Sequence, residues 1–139
     1  MSSQVKIRIV TNKETETVWA IPQKKSLYKI VNTPFFAYGI SWGDIIEAKP
    51  DSTGILIFNK IVKKSGNRTI RVADPKNDLP NELIEGAKKL GCSVEGANRK
   101  YICIDIPPKV EIERVINYLS SNGYQWEHAD PTYEEYHSN

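Results

Sequence analysis

From Val5 to Val72 apolar and polar residues trade places with a period near two, the pattern of strands with one buried face. Val5, Ile7 and Ile9 alternate with Lys6 and Arg8. Thr17–Ile21 follows as a β-branched and aromatic run, which Pro22 ends by removing a ladder donor. Leu27–Val31, Asp44–Lys49, Ile55–Val62 and Arg68–Val72 read the same way, with polar or Gly- and Pro-bearing turns between them. Six short strands so spaced predict a small antiparallel barrel or sandwich.

Beyond Asp74-Pro75 the period lengthens. Leu83, Ile84, Ala87 and Leu90 share one helical face, with Asp78 placed to cap it, Pro80 in its first turn and Gly91 as its stop. Cys92–Gly96 and Tyr101–Ile106 read as strands. Pro107-Pro108 opens a second helix that carries Ile112, Val115, Ile116 and Leu119 on one face, and Tyr124–His128 is a last strand. Counted from Arg68, the order is β-α-β-β-α-β, the ferredoxin-like arrangement. The expected class is therefore α+β. Residues 1–66 are expected as a small antiparallel β-barrel-like lobe, 67–130 as a ferredoxin-like βαββαβ lobe, and 131–139 as a flexible tail.

One stretch fits neither period. Asn32–Asp44 is too long for a hairpin turn and holds Phe35, Phe36, Tyr38 and Trp42 together with Pro34, Gly39 and Gly43. A surface loop favours small polar residues, because its backbone must stay wet. The stretch reads as a loop that folds back to plug the open end of the sheet, with Trp19, Phe35 and Phe36 buried. The same aromatics also suit a binding surface.

Composition and charge narrow the chemistry. The 139 residues are 40% hydrophobic and 26% charged, ordinary values for a folded domain. No apolar run reaches membrane-spanning length and the start lacks the apolar core of a signal peptide, so a cytoplasmic protein without a membrane partner is expected. A disulfide between Cys92 and Cys103 is geometrically open, but a reducing compartment favours two small buried thiols. Those cysteines and His128 and His137 lack metal-ligand spacing, so neither a metal nor another cofactor is expected. The net charge of +2 divides into +7 over residues 1–72 and −5 over 73–139, which gives two faces or lobes of opposite sign. A sequence pI near 8.5 falls short of the strongly basic signature, so nucleic acid is not the expected partner.

Catalytic constellations are missing at the level of motif. The chain has no phosphate-cradling glycine loop, no G-x-S-x-G and no C-x-x-C, so no catalytic residue is assigned and no enzyme is expected. His128 reads as a core or edge histidine, Asp44 as a local cap of backbone N–H groups, and Asp105 as an acid on the exposed face of its sheet.

Trp19-Ala-x-Pro22, Asn32-x-Pro-Phe-Phe-Ala-x-Gly39 and Gly43-Asp44 resemble the signature of an uncharacterised bacterial domain-of-unknown-function family, as do Leu90–Gly96 and Ile104–Pro107 further on. The resemblance covers nearly the whole chain and carries no catalytic residues. By analogy with other small bacterial proteins of this kind, the expected function is that of an immunity protein, which binds and neutralises a cognate toxin such as a nuclease. The acidic and aromatic mixture of Trp126, Glu127, Asp130, Tyr133, Glu134, Glu135 and Tyr136 is the expected contact surface for the basic cleft of such a toxin. The alternative is a regulatory protein that binds a small ligand or nucleic acid through the loop at residues 32–44.

Overall fold

The computed structural model describes residues 3–138; Met1 and Ser2 of the expected first lobe and Asn139 of the expected tail lie outside the described residues. The architecture is mixed α+β, built mostly from antiparallel sheet. Strands β1 (Val5–Val10), β2 (Thr15–Pro22), β3 (Leu27–Ile30), β4 (Ile45–Pro50) and β5 (Leu56–Lys63) close into a ring in that order. Neighbours in the ring pair antiparallel, and the closing pair, β1 with β5, is parallel at Arg8↔Ile57.

The chain then runs through β6 (Arg68–Ala73), α1 (Asn81–Lys89), β7 (Ser93–Asn98), β8 (Tyr101–Ile106), α2 (Ile112–Ser121), β9 (Trp126–Asp130) and α3 (Tyr133–His137). Strands β6 to β9 make a second antiparallel sheet of order β7-β8-β6-β9. Ile70, Val72, Ile102, Ile104 and Ile106 of this sheet pack with Leu83 and Ala87 of α1 and with Val115 and Leu119 of α2. The helices approach closely because Gly86 leaves room for the Tyr118 phenol: a Cβ there would sit 2.0 Å from its oxygen.

Period-two alternation explains the interior of the ring. Ile7, Ile9, Val18, Ala20, Ile30, Ile46 and Ala48 point inward. The loop at 32–44 enters this core through Ala37 and Ile40, whereas Phe36 and Trp19 are each 44% exposed and Phe35 is half-buried. The expected aromatic plug is thus corrected. A ring of five strands has a narrow interior that fills with small aliphatic groups, and the aromatics are left on its outer side.

The rest of the loop lies against the polar face of the second sheet. Glu16 of β2 accepts the backbone N–H groups of Phe35, Phe36 and Ala37 at 2.8, 2.9 and 2.8 Å. Arg71 of β6 donates to the carbonyls of Phe36 and Pro34, both at 3.1 Å, and to that of Ala37. The guanidinium belongs to a residue only 2% exposed. Glu95 of β7 accepts the N–H of Thr33 at 2.6 Å, and the Tyr101 phenol donates to the Phe35 carbonyl. A second junction gathers around Lys64, whose ammonium reaches Asp44 and Asp130 at 2.5 Å each. Ser41 donates to Asp130 at 2.5 Å and bonds the Thr69 hydroxyl at 2.8 Å. Gly43 holds a φ of +86° at this corner, where a side chain would also press on Ser65.

Several local expectations change. Asp78 does not cap α1: it pairs with Lys100 at 3.1 Å, and Pro80 occupies the cap position with no side-chain cap. Helix α2 starts at Ile112 rather than at the prolines, because Arg68 holds the carbonyls of Pro107 and Val110 in a preceding turn. Asp105 faces away from the helices but is buried, bonded by Asn67 at 2.9 and 3.2 Å, and burial raises its carboxyl above the usual range. Cys92 and Cys103 are both free and buried. Residues 133–137 of the expected tail form α3.

Arg71→Ala should lower stability by about 3 kcal/mol or more, since it leaves three loop carbonyls without their donor inside the protein. Phe36→Ala should change stability by no more than about 1 kcal/mol, because nearly half of the residue is exposed and its ring lies outside the core of the ring of strands. Urea unfolding midpoints check both, and a Phe36 effect as large as that of Arg71 would contradict this assignment of the loop.

Candidate functional site

Where β9 gives way to α3, the chain reads Pro-Thr-Tyr-Glu-Glu, and the capping box follows from that order. Thr132 accepts the N–H of Glu135 at 3.2 Å, while the Glu135 carboxylate accepts the N–H of Thr132 at 2.9 Å. The short helix is thereby set across the end of β9. Tyr136 stacks on the His128 ring at 4.6 Å and donates its hydroxyl to Glu113 of α2 at 3.1 Å. From the other side the 32–44 loop supplies Tyr38, whose hydroxyl lies 3.0 Å from both Glu127 oxygens. Gly39 anchors that part of the loop by donating to the Ala129 carbonyl at 2.8 Å.

Between Tyr38 and α3 lies a groove of about 770 Å³. Its floor is Trp126, His128 and Ile116, its α3 wall is Tyr133, Tyr136 and His137, and its rim carries Glu127 and Glu134. Trp126 is oriented by a bond from its indole N–H to Ser120 at 3.1 Å, and its ring meets His128 edge-on at 5.0 Å. Tyr133 is 62% exposed and Tyr38 54%, so aromatic faces are open to an approaching molecule. A shallower cleft of about 380 Å³ continues past Tyr38 and Glu127 towards Phe36 and Tyr101.

Electrostatics favour a neutral imidazole on an acidic rim. Burial, then the nearby His137, pushes His128 below the usual histidine value, and its Nδ1 is buried with no partner among the described residues. Burial, then Glu127, pushes the Tyr38 phenol up, so Tyr38 is the donor of that pair at neutral pH. The thiols are poorly placed for nucleophilic work, since burial pushes Cys103 up to about 12 and Cys92 up to about 11. Among the described residues, no group of three or more His, Cys, Asp or Glu is arranged to hold a metal.

Residues 16–128 match a family described as a domain of unknown function, DUF4265. The chain belongs to that family. The uncharacterised family expected from the motifs is therefore the right kind of assignment. A solved structure, described as the novel crystal structure of a hypothetical protein from Neisseria gonorrhoeae, is similar over 93% of this chain and 94% of its own. The TM-score is 0.75 at 20% identity, a likeness of fold. No curated protein matches. Within this DUF4265 chain, the groove floor falls inside the matched residues and the α3 wall lies just past them. No helix among the described residues is long and apolar enough to cross a membrane.

Of the expected contact residues, Trp126, Glu127, Tyr133, Glu134 and Tyr136 all line the groove. Asp130 does not: it is 6% exposed and committed to Lys64 and Ser41. Glu135 is exposed, but its carboxylate is engaged in the capping box. Tyr38, His128 and His137 join the site without having been assigned to it. Tyr38 had a signal, as a large aromatic in a loop beside two glycines, but nothing local tied it to Glu127, 89 residues away.

A depressed histidine value means that the unfolded chain takes up the proton at a higher pH than the folded one. The contribution is fully present above the ordinary histidine value near 6.5 and is lost as pH falls through it towards the folded value. Urea midpoints should therefore drop between about pH 7.5 and 5, and less so in His128→Phe, which keeps an aromatic ring without the titration. Parallel pH profiles for the two proteins would contradict the neutral, buried assignment of His128.

Proposed function

We propose that this chain is a cytoplasmic, non-enzymatic binding protein, an immunity protein that neutralises a cognate toxin by taking part of its surface into the groove at β9 and α3. The reading is carried by one convergence. Five acidic and aromatic residues picked out by composition meet in a single groove, with exposed rings inside and carboxylates at its edge. Rigid aromatic groups with few rotatable bonds are common anchors of protein interfaces. Rim carboxylates speed the approach of a basic surface and set which partners are accepted. A toxin with a basic, phosphate-holding cleft, such as a nuclease, has the complementary chemistry. On the same strand orders, we read the ring as a small β-barrel and the second sheet with α1 and α2 as ferredoxin-like.

A second reading has its own support. A groove of about 770 Å³ falls within the size range of small-molecule sites, and its lining is mostly aromatic. The regulatory alternative therefore moves from the loop as a whole to this groove.

Survival of cells expressing a cognate toxin, with association rates measured on the purified pair, supplies the test. Tyr133→Ala, at an exposed position, and Trp126→Ala should each weaken binding about thirtyfold or more and abolish protection. Glu127→Lys with Glu134→Lys should slow association most at low salt, where attraction reaches beyond roughly 8 Å. Full protection by the folded Tyr133 variant, together with unchanged association by the charge-reversed pair, would remove the groove from partner binding.

A further inference from the structure

We infer that the groove is built to seat an arginine side chain of the partner, stacked between Trp126 and the α3 tyrosines with its guanidinium turned to Glu127 and Glu134. This rests on the reading of the groove as a protein-binding site and names the group that enters it.

The argument starts from how the chain treats its other aromatics. Trp19 carries the Lys6 ammonium at 5.3 Å from its ring, Trp42 carries that of Lys29 at 5.3 Å, and Tyr38 carries the Arg71 guanidinium at 5.0 Å. The groove rings of Trp126, Tyr133 and Tyr136 have no such cation among the described residues, and no Lys or Arg lines the groove. Its two carboxylates are equally unmatched. Neither Glu127 nor Glu134 takes part in an ion pair among the described residues, and Glu127 is bonded only through Tyr38. Two negative rim charges and several negative ring faces therefore converge on one space that no Lys or Arg lines among the described residues.

Arginine suits that space better than lysine. Its guanidinium is flat, so it stacks on rings, it is weakly hydrated, and its fork of N–H donors matches a carboxylate two bonds at a time. His128 does not oppose it, because burial keeps the imidazole neutral at neutral pH. The chain already stacks one guanidinium on a tyrosine near this site, although its donors go to the loop carbonyls. Arg71 lies over the Tyr38 ring, and Glu127 is its register partner across β6 and β9.

The experiment uses the full chain and N-acetyl-arginine-N-methylamide as probe, followed by NMR of the Trp126 indole N–H and the His128 ring. Matched citrulline and lysine compounds serve as controls. The arginine probe should shift both signals saturably. Citrulline, the same shape without the charge, should bind about tenfold or more weaker, and Glu127→Gln with Glu134→Gln should weaken arginine by about tenfold. No saturable shift, or equal binding of citrulline, overturns the inference. Equal binding of lysine overturns the choice of guanidinium. Should the probe fail while Tyr133→Ala still abolishes protection, the arginine inference falls and the partner reading stands. Should the probe bind while the groove variants protect fully, the cation site stands and the partner reading falls.

Discussion

Four consecutive residues, Pro34 to Ala37, are held between two opposite charges. Glu16 on the ring takes the N–H groups of Phe35, Phe36 and Ala37, and Arg71 on the second sheet takes the carbonyls of Pro34, Phe36 and Ala37. A guanidinium removed from water is costly, and it is tolerated here because peptide dipoles are fixed around it. The same dipoles present their positive ends to Glu16, so each charge polarises the bonds that satisfy the other. A loop without helix or strand is thereby bonded from both sides, and the ring and the sheet are joined through it. Ala37 and Ile40 can then enter the narrow core of the ring.

The position of the groove follows from that clamp. With Ala37 fixed, the next residue, Tyr38, leaves the interior beside Arg71 and meets Glu127, and Gly39 bonds to Ala129 on β9. One wall of the groove is therefore placed by the loop and the other by the capping box of α3. The Lys64 junction fixes the C-terminal end of β9 through Asp130, so that Trp126 and His128 are presented on an edge strand paired to β6 and pinned at that end. A binding site on supported elements needs less ordering when it is occupied, which is where affinity is commonly lost.

Much of this order can be read from periodicity. Strands and helices fall close to where alternation and the 3.6 spacing place them, because burial of one face is a local property of the pattern. The failures share a cause of a different kind. Phe36 and Trp19 are bulky and apolar, yet a five-stranded ring has no room for them, and ring size is set by closure rather than by either residue. Asp105 alternates correctly to the face away from the helices, but nothing near it in the chain announces that Asn67 will lie over that face. Asp130 and Glu135 look like their neighbours Glu127 and Glu134. They differ only in having found Lys64, 66 residues earlier, and a helix cap. Charge composition locates an acidic region; which of its carboxylates remain free is decided by tertiary partners.

The division of charge along the chain now has a physical consequence. Of the basic residues in the first half, Lys64 and Arg71 are drawn into the junctions, while Lys24, Lys25, Lys60 and Lys63 stay exposed on the ring. The groove rim carries the opposite sign. A basic partner is thus repelled over one part of the surface and attracted at another, within a screening distance of roughly 8 Å at physiological salt. On the proposed binding role, such a molecule would be turned towards the groove before any ring is touched, and the aromatic anchors would act only once it has arrived. If the groove holds a partner in this way, rim substitutions should act mainly through association and ring substitutions mainly through dissociation.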